Sequence, residues 1–112
     1  MPQYGALDVS NEETAIHVID ETGATVWRGK RASDPDVLTT TLRIHAPDLL
    51  RVGLETGPLT PWIYHTCKAL GLPIVCLDAR HARAATALQR NKTDARDAET
   101  LAQLVRMGWR SE

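Results

Sequence analysis

The sequence predicts an α/β domain: a mixed five-stranded sheet with helices on both faces. Two observations carry this prediction. Before Ser33, three runs rich in β-branched and aromatic residues are separated by turn compositions and show no helical period. After Ser33 the pattern changes, and capped stretches with apolar residues at helical spacing alternate with short apolar runs. A three-stranded antiparallel meander followed by alternating helices and strands implies a mixed sheet covered on both sides.

The elements follow in order. Tyr4 to Ser10 reads as a strand in which Leu7 and Val9 flank Asp8, an acid at the centre of an apolar run. Thr14 to Ile19 is a second strand, and Asp20-Glu21-Thr22-Gly23 is a turn with a glycine available for positive φ. Thr25 to Arg28 resumes the alternation. Ser33-Asp34-Pro35-Asp36 is a helix start, with a capping side chain, a proline near the first helical position and an acid in the first turn. Val37, Leu38 and Leu42 form that helix's apolar stripe, and Pro47 closes the segment. Leu49 to Leu54 reads as a buried fourth strand delivering Glu55 at its end. Thr60-Pro61 opens a helix carrying Ile63, Cys67 and Leu70, which Gly71 and Pro73 stop. Ile74 to Leu77 is a fifth strand, Asp78 to Leu88 an alanine-rich helix, and Asp94 to Met107 a last helix beyond a polar break at Arg90-Asn91-Lys92. The order β-β-β-α-β-α-β-α-α is that of the ribonuclease H-like fold.

A chain of 112 residues holds one domain. Its 43% hydrophobic and 24% charged residues fit a soluble globular protein. No apolar run approaches the roughly 20 residues that span a bilayer, and the N-terminus lacks a signal pattern, so no membrane partner is expected. Cys67 and Cys76 have neither zinc-site nor disulfide-framework spacing and read as free thiols of a reducing cytoplasm. The net charge of -1 conceals an asymmetry: residues 1–78 carry -4 and residues 79–112 carry +3. Arg80, Arg83, Arg90 and Lys92 lie in the basic part, where they can meet phosphates or simply form a solvated helix face.

Four acids are the candidates for chemistry: Asp8, Glu55, Asp94 and Asp97. Asp8 sits in an apolar strand with no basic residue of that strand to pair with, and an unpaired buried carboxylate costs several kcal/mol. Glu55 stands at a strand end, where α/β sheets bind ligands but where exposed acids are also ordinary. Asp94 and Asp97 share one face at the start of the last helix. Acids there satisfy the helix macrodipole without further purpose. Asp97, however, falls on the stripe continued by Leu101, Leu104 and Val105, which is expected to face the core. Together the four can converge on one sheet edge. Mg²⁺ or Mn²⁺ prefers such oxygen donors, and a pair of ions about 4 Å apart needs several. Without a cation, four gathered carboxylates repel one another and raise their pKa values.

The residues Leu7-Asp8-Val9-Ser10, Val52-Gly53-Leu54-Glu55-Thr56-Gly57 and, most specifically, Asn91-Lys92-Thr93-Asp94-Ala95-Arg96-Asp97-Ala98 give the chain a family likeness. It resembles the N-terminal RuvC-like domain of the DEDD transposases of the insertion-sequence one-ten type, over essentially its whole length. The resemblance implies that Asp8, Glu55, Asp94 and Asp97 are the catalytic, metal-binding acids. It implies a bacterial, nucleoid-associated DNA recombinase guided by a structured bridge RNA, homo-oligomeric in its full-length form. Lys92, Arg80, Arg83 and Arg90 are then expected on the nucleic-acid backbone. Members carry a second domain with a nucleophilic serine, which this sequence, ending at Glu112, is expected to lack. Ser10, Ser33 and Ser111 lie outside the matching motif and are not promoted to that role. Asn11 stands where the family frequently has lysine.

Three other readings stay open. An actin-like kinase or ATPase shares the early order, but Val9-Ser10 follows Asp8 where that fold places a phosphate-cradling glycine. A Holliday-junction resolvase fits the carboxylates nearly as well. A non-catalytic nucleic-acid or assembly module fits if the acids bind no metal. Trp27, Trp62 and Trp109 read as packing residues, His17 as a strand residue, and His45, His65 and His81 as carrying no ligand signal.

Overall fold

The structure, a computed structural model, describes residues 2–55, 59–77, 102–103 and 105–106, with Glu55 and Leu77 described by their backbone. Strands β1 (Gln3–Val9), β2 (Glu13–Asp20) and β3 (Thr25–Ala32) form the meander. Helix α1 (Pro35–His45), strand β4 (Leu49–Glu55), helix α2 (Thr60–Ala69) and strand β5 (Ile74–Leu77) follow. The sheet order is β3-β2-β1-β4-β5. β1 and β3 flank β2 antiparallel, whereas β4 runs parallel to both β1 and β5. The α/β mixed five-stranded sheet is therefore as predicted.

Local chemistry explains the joints. Asp20 turns the first hairpin: its Oδ1 accepts from the Thr22 hydroxyl at 2.6 Å and from the Thr22 and Ala24 amides at 2.8 and 3.1 Å. Gly23 takes φ 89° there, a conformation that a side chain disfavours. Asp34 caps α1, accepting from the Asp36 and Val37 amides, while Pro35 occupies a first-turn position that lacks a backbone partner anyway. Gly71, at φ 93°, ends α2, and the Leu72 amide donates back to the Cys67 carbonyl at 3.0 Å.

One face of the sheet packs Leu7, Ile16, Val18, Val52 and Leu54 against Leu38 and Leu42 of α1 and Ile63 and Cys67 of α2. Fully burying each such side chain contributes about 1.5–3 kcal/mol. The other face gathers Ala6 and Ile19, with Tyr4 beside them, under the helical residues Ala102 and Val105. Helices thus lie on both faces. Most of the two late helices predicted from sequence lies outside the described residues.

Several side chains depart from expectation. Val37, assigned to the α1 stripe, is 38% exposed, while Thr39 and Thr41 take buried positions. Leu50 and Trp62 are 52% and 50% exposed, so β4 is not buried at its start and Trp62 is not a packing residue of the described core. β3 runs four residues past the predicted end because, as an edge strand, it needs no apolar alternation there. Trp27 does pack on the core, and its ring stacks on His45 with centroids 4.1 Å apart and planes 7° from parallel. His45 thus holds α1 against β3 by offsetting its polar ring on an aromatic face.

Candidate functional site

Asp8 is the penultimate residue of β1, half-buried, opposite Ala15 of β2. This corrects the expectation of an acid at the centre of an apolar strand. The desolvation argument weakens accordingly, since a half-exposed carboxylate keeps part of its hydration. The position acquires a different significance, because it lies at the C-terminal end of a strand with a parallel neighbour.

That neighbour is β4. Gly5, Ala6 and Leu7 pair with Val52, Gly53 and Leu54 in parallel register. One further step along both strands brings Asp8 beside Glu55, with the strands about 4.8 Å apart. Glu55 pairs in turn with Leu77, so β1, β4 and β5 all end at one edge of the sheet. Successive strand residues alternate faces, and Leu7 belongs to the α1/α2 core. Position 8 therefore belongs to the face of Tyr4 and Ala6, the one packed by Ala102 and Val105. Those helical residues are anchored at the β2–β3 hairpin, beyond the Gln3 end of β1: the Gln103 amide Nε2 donates to the Gly23 carbonyl at 3.1 Å, and Arg106 Nε donates to Gln103 Oε1 at 3.0 Å.

Asp94, Asp97, Arg80, Arg83, Arg90 and Lys92 lie outside the described residues, as does the side chain of Glu55. Among the described residues, no three His, Cys, Asp or Glu side chains come together as a metal-binding group. Nor, among them, is any helix long and apolar enough to cross a membrane.

Two basic residues stand exposed on the edge strand. Arg28 and Lys30 are exposed on β3, paired with His17 and Ala15 of β2. His17 is a buried strand residue, as expected, with Nε2 2.9 Å from Thr25 Oγ1. Both cysteines are free thiols: Cys67 is buried and Cys76 half-buried. Burial pushes both thiol pKa values up, partly countered by a hydrogen bond from Thr39 at Cys67 and by Lys68 at Cys76.

A meander joined to parallel strands that end beside two acids, with helices on both faces, defines a RuvC-like, ribonuclease H-like domain. The RuvC structure of Thermus thermophilus superposes with a TM-score of 0.57 at 10% identity, over 96% of each chain. Ethanolamine utilization protein EutJ from Carboxydothermus hydrogenoformans gives a TM-score of 0.53 at 17% identity, over 81% of this chain. The chain spans only 42% of EutJ's length. At such identities the likeness is one of fold. No curated protein matches the chain. The family model described as Transposase, the DEDD type of IS110, matches residues 6–111, and the chain belongs to that DEDD transposase family.

Proposed function

We propose that this chain is the carboxylate-bearing domain of a bacterial transposase. In this reading Asp8, Glu55, Asp94 and Asp97 hold Mg²⁺ or Mn²⁺ and act on DNA phosphodiesters jointly with a serine-bearing domain. The observation that supports it is the β1–β4 register, whose last pair, Leu7 with Leu54, immediately precedes Asp8 and Glu55 where the parallel strands end. The two-residue period assigns position 55 to the same face as Asp8, and that face is packed by Ala102 and Val105 of the predicted last helix. Asp94 and Asp97 belong to the first turns of that same predicted helix.

The donor set suits the metal. Carboxylate oxygens are the ligands that hard divalent ions prefer, and Asp8 is half-buried rather than sealed in the core. A bound ion pair would supply electrostatic stabilisation at the reacting phosphate. The protein's own part is orientation. Asp8 is fixed on a strand hydrogen-bonded on both sides, so its carboxylate is presented without a loop's freedom. Arg80, Arg83, Arg90 and Lys92 contact the nucleic-acid backbone, and a structured guide RNA selects the DNA. The full-length protein acts as a homo-oligomer, since recombination joins two DNA sites.

Thermal unfolding against Mg²⁺ and Mn²⁺ concentration tests the reading on the native chain, Asp8→Asn and Asp97→Asn. A hundredfold excess over Kd stabilises the folded state by about 2.7 kcal/mol. For a domain of this size that raises Tm by roughly 10–20 °C. A saturable rise that both variants abolish is the expected result. An unchanged rise in Asp8→Asn would overturn the carboxylate site.

A further inference from the structure

We infer that Ser33 is a positioning residue for the carboxylate site, clasping the β1–β2 hairpin and so fixing the strand end that bears Asp8. The inference rests on the carboxylate reading of the site and adds to it a residue that acts on Asp8 through the backbone alone.

The sequence offers two candidate helix caps in tandem, Ser33 and Asp34, ahead of Pro35. Asp34 takes the cap of α1, accepting from the Asp36 and Val37 amides at 2.9 and 3.3 Å. The Ser33 hydroxyl, relieved of that role, turns to the hairpin. Its Oγ donates to the Ser10 carbonyl at 2.5 Å, and its amide donates to the Glu12 carbonyl at 3.0 Å. One residue therefore grips the loop on either side of Asn11. A serine or threonine hydroxyl has a single proton to donate. With that of Ser33 committed to Ser10, the 2.8 Å contact between Thr14 Oγ1 and Ser33 Oγ is a donation from Thr14. The Thr14 hydroxyl, the Ser33 hydroxyl and the Ser10 carbonyl form a directed chain in which each bond polarises the next. Thr14 is fully buried in β2, so the chain starts from a fixed point.

This hairpin depends on such bonds more than its neighbour does. Loops of two or three residues ordinarily close through residues of positive φ, whose twist matches that of the strands. The β2–β3 turn has such a residue in Gly23. Ser10-Asn11-Glu12 contains no glycine, and no described non-glycine residue takes positive φ. Side chains supply the closure instead. Ser10 Oγ donates to the Glu13 carbonyl at 2.6 Å, beside the Ser10 amide's own bond to that oxygen, and Ser33 holds the loop from the β3 side.

The clasped carbonyl of Ser10 lies two residues beyond Asp8. Val9, between them, packs on the α1/α2 core, and its partner Thr14 alternates with the core residue Ile16. The clasp thus stands on the opposite side of the sheet from Asp8. It restrains the backbone that carries the carboxylate, and it ties that strand end to the first turn of α1.

The test is Mn²⁺ binding to the chain, followed by electron paramagnetic resonance of the free ion at a temperature where every variant is folded. Ser33→Ala is expected to raise Kd about tenfold, the lower end of the effect of losing a residue that orients a metal's ligands. Thr14→Val leaves the Ser33–Ser10 bond in place and raises Kd less, and Ser33→Thr retains the native value. Thr39→Ala removes a buried hydroxyl from the α1–α2 contact, so it lowers Tm and leaves Kd unchanged. An unchanged Kd in Ser33→Ala, or an equal rise in Thr39→Ala, while Asp8→Asn abolishes binding, overturns the clasp alone. Binding that survives Asp8→Asn, or that the native chain lacks, overturns the carboxylate reading and the clasp with it.

Discussion

Leu7 and Leu54 are register partners on adjacent parallel strands, and both are fully buried in the α1/α2 core. Their pairing fixes which residues become neighbours at the strand ends. A slip of one residue would turn one strand's apolar set outward, so the core itself enforces the proximity of Asp8 and Glu55. Leu54→Ala should cost roughly 2–5 kcal/mol, with an unchanged m-value in urea denaturation. A cost well under 1 kcal/mol would show that this pair does not set the register.

Asp8 and Glu55 should be coupled, and the sign of the coupling should depend on metal. If Asp8 and Glu55 share a metal, removing it leaves like charges close together, so Asp8→Asn is expected to cost less in EDTA than in Mg²⁺. With saturating Mg²⁺ the same substitution removes a ligand and destabilises. A double-mutant cycle of Asp8→Asn and Glu55→Gln should show an interaction energy of about 0.5–3 kcal/mol in Mg²⁺, reversed in EDTA. The same sign in both conditions would separate the two residues.

The sequence makes most of this fold legible because its elements announce themselves locally. The Asp34-Pro35 start of α1, the Gly71 stop of α2 and the turn at Asp20–Gly23 were all readable from neighbouring residues. What required structure was non-local. Glu55 reads as an unremarkable strand-end acid until register places it beside a residue 47 positions earlier. Ala102, outside the apolar stripe read for the last helix, is as buried as Val105, because a small residue lets that helix approach Ala6 closely.

The hairpin turn should give the protein a pH-dependent weakness at low pH. The Thr22 hydroxyl, with backbone amides of Ala24, Thr22 and Gly23, holds the Asp20 carboxyl below its ordinary 3.8, against a smaller opposing effect of burial. A depressed folded pKa favours the ionised form, so the turn's contribution is complete above the unfolded value. It is lost as pH falls through the lower folded value. The stability advantage of the native chain over Asp20→Asn should therefore be flat at neutral pH and shrink in that acid window. Thr22→Val removes the leading donor and should raise the carboxyl pKa in an NMR titration; an unmoved titration would assign the shift to the amides.

The two thiols should differ in reactivity despite their common direction of shift. Cys67 is fully buried, accepts from Thr39 Oγ1 at 3.6 Å and donates to the Pro35 carbonyl at 3.8 Å, bridging α1 and α2. Burial raises its pKa above the ordinary 9.0, so at pH 8 both thiolate fraction and access are low. Cys76 is raised by burial too, but it is half exposed and Lys68 opposes the shift. Alkylation at pH 8 should therefore label Cys76 first, with Cys67 labelled only as the chain opens, its rate rising with denaturant. A raised folded pKa also means that stability declines as pH climbs above 9.0 toward the folded value, where the unfolded thiol ionises first. Equal labelling rates for the two cysteines in the native protein would place Cys67 outside the α1–α2 contact.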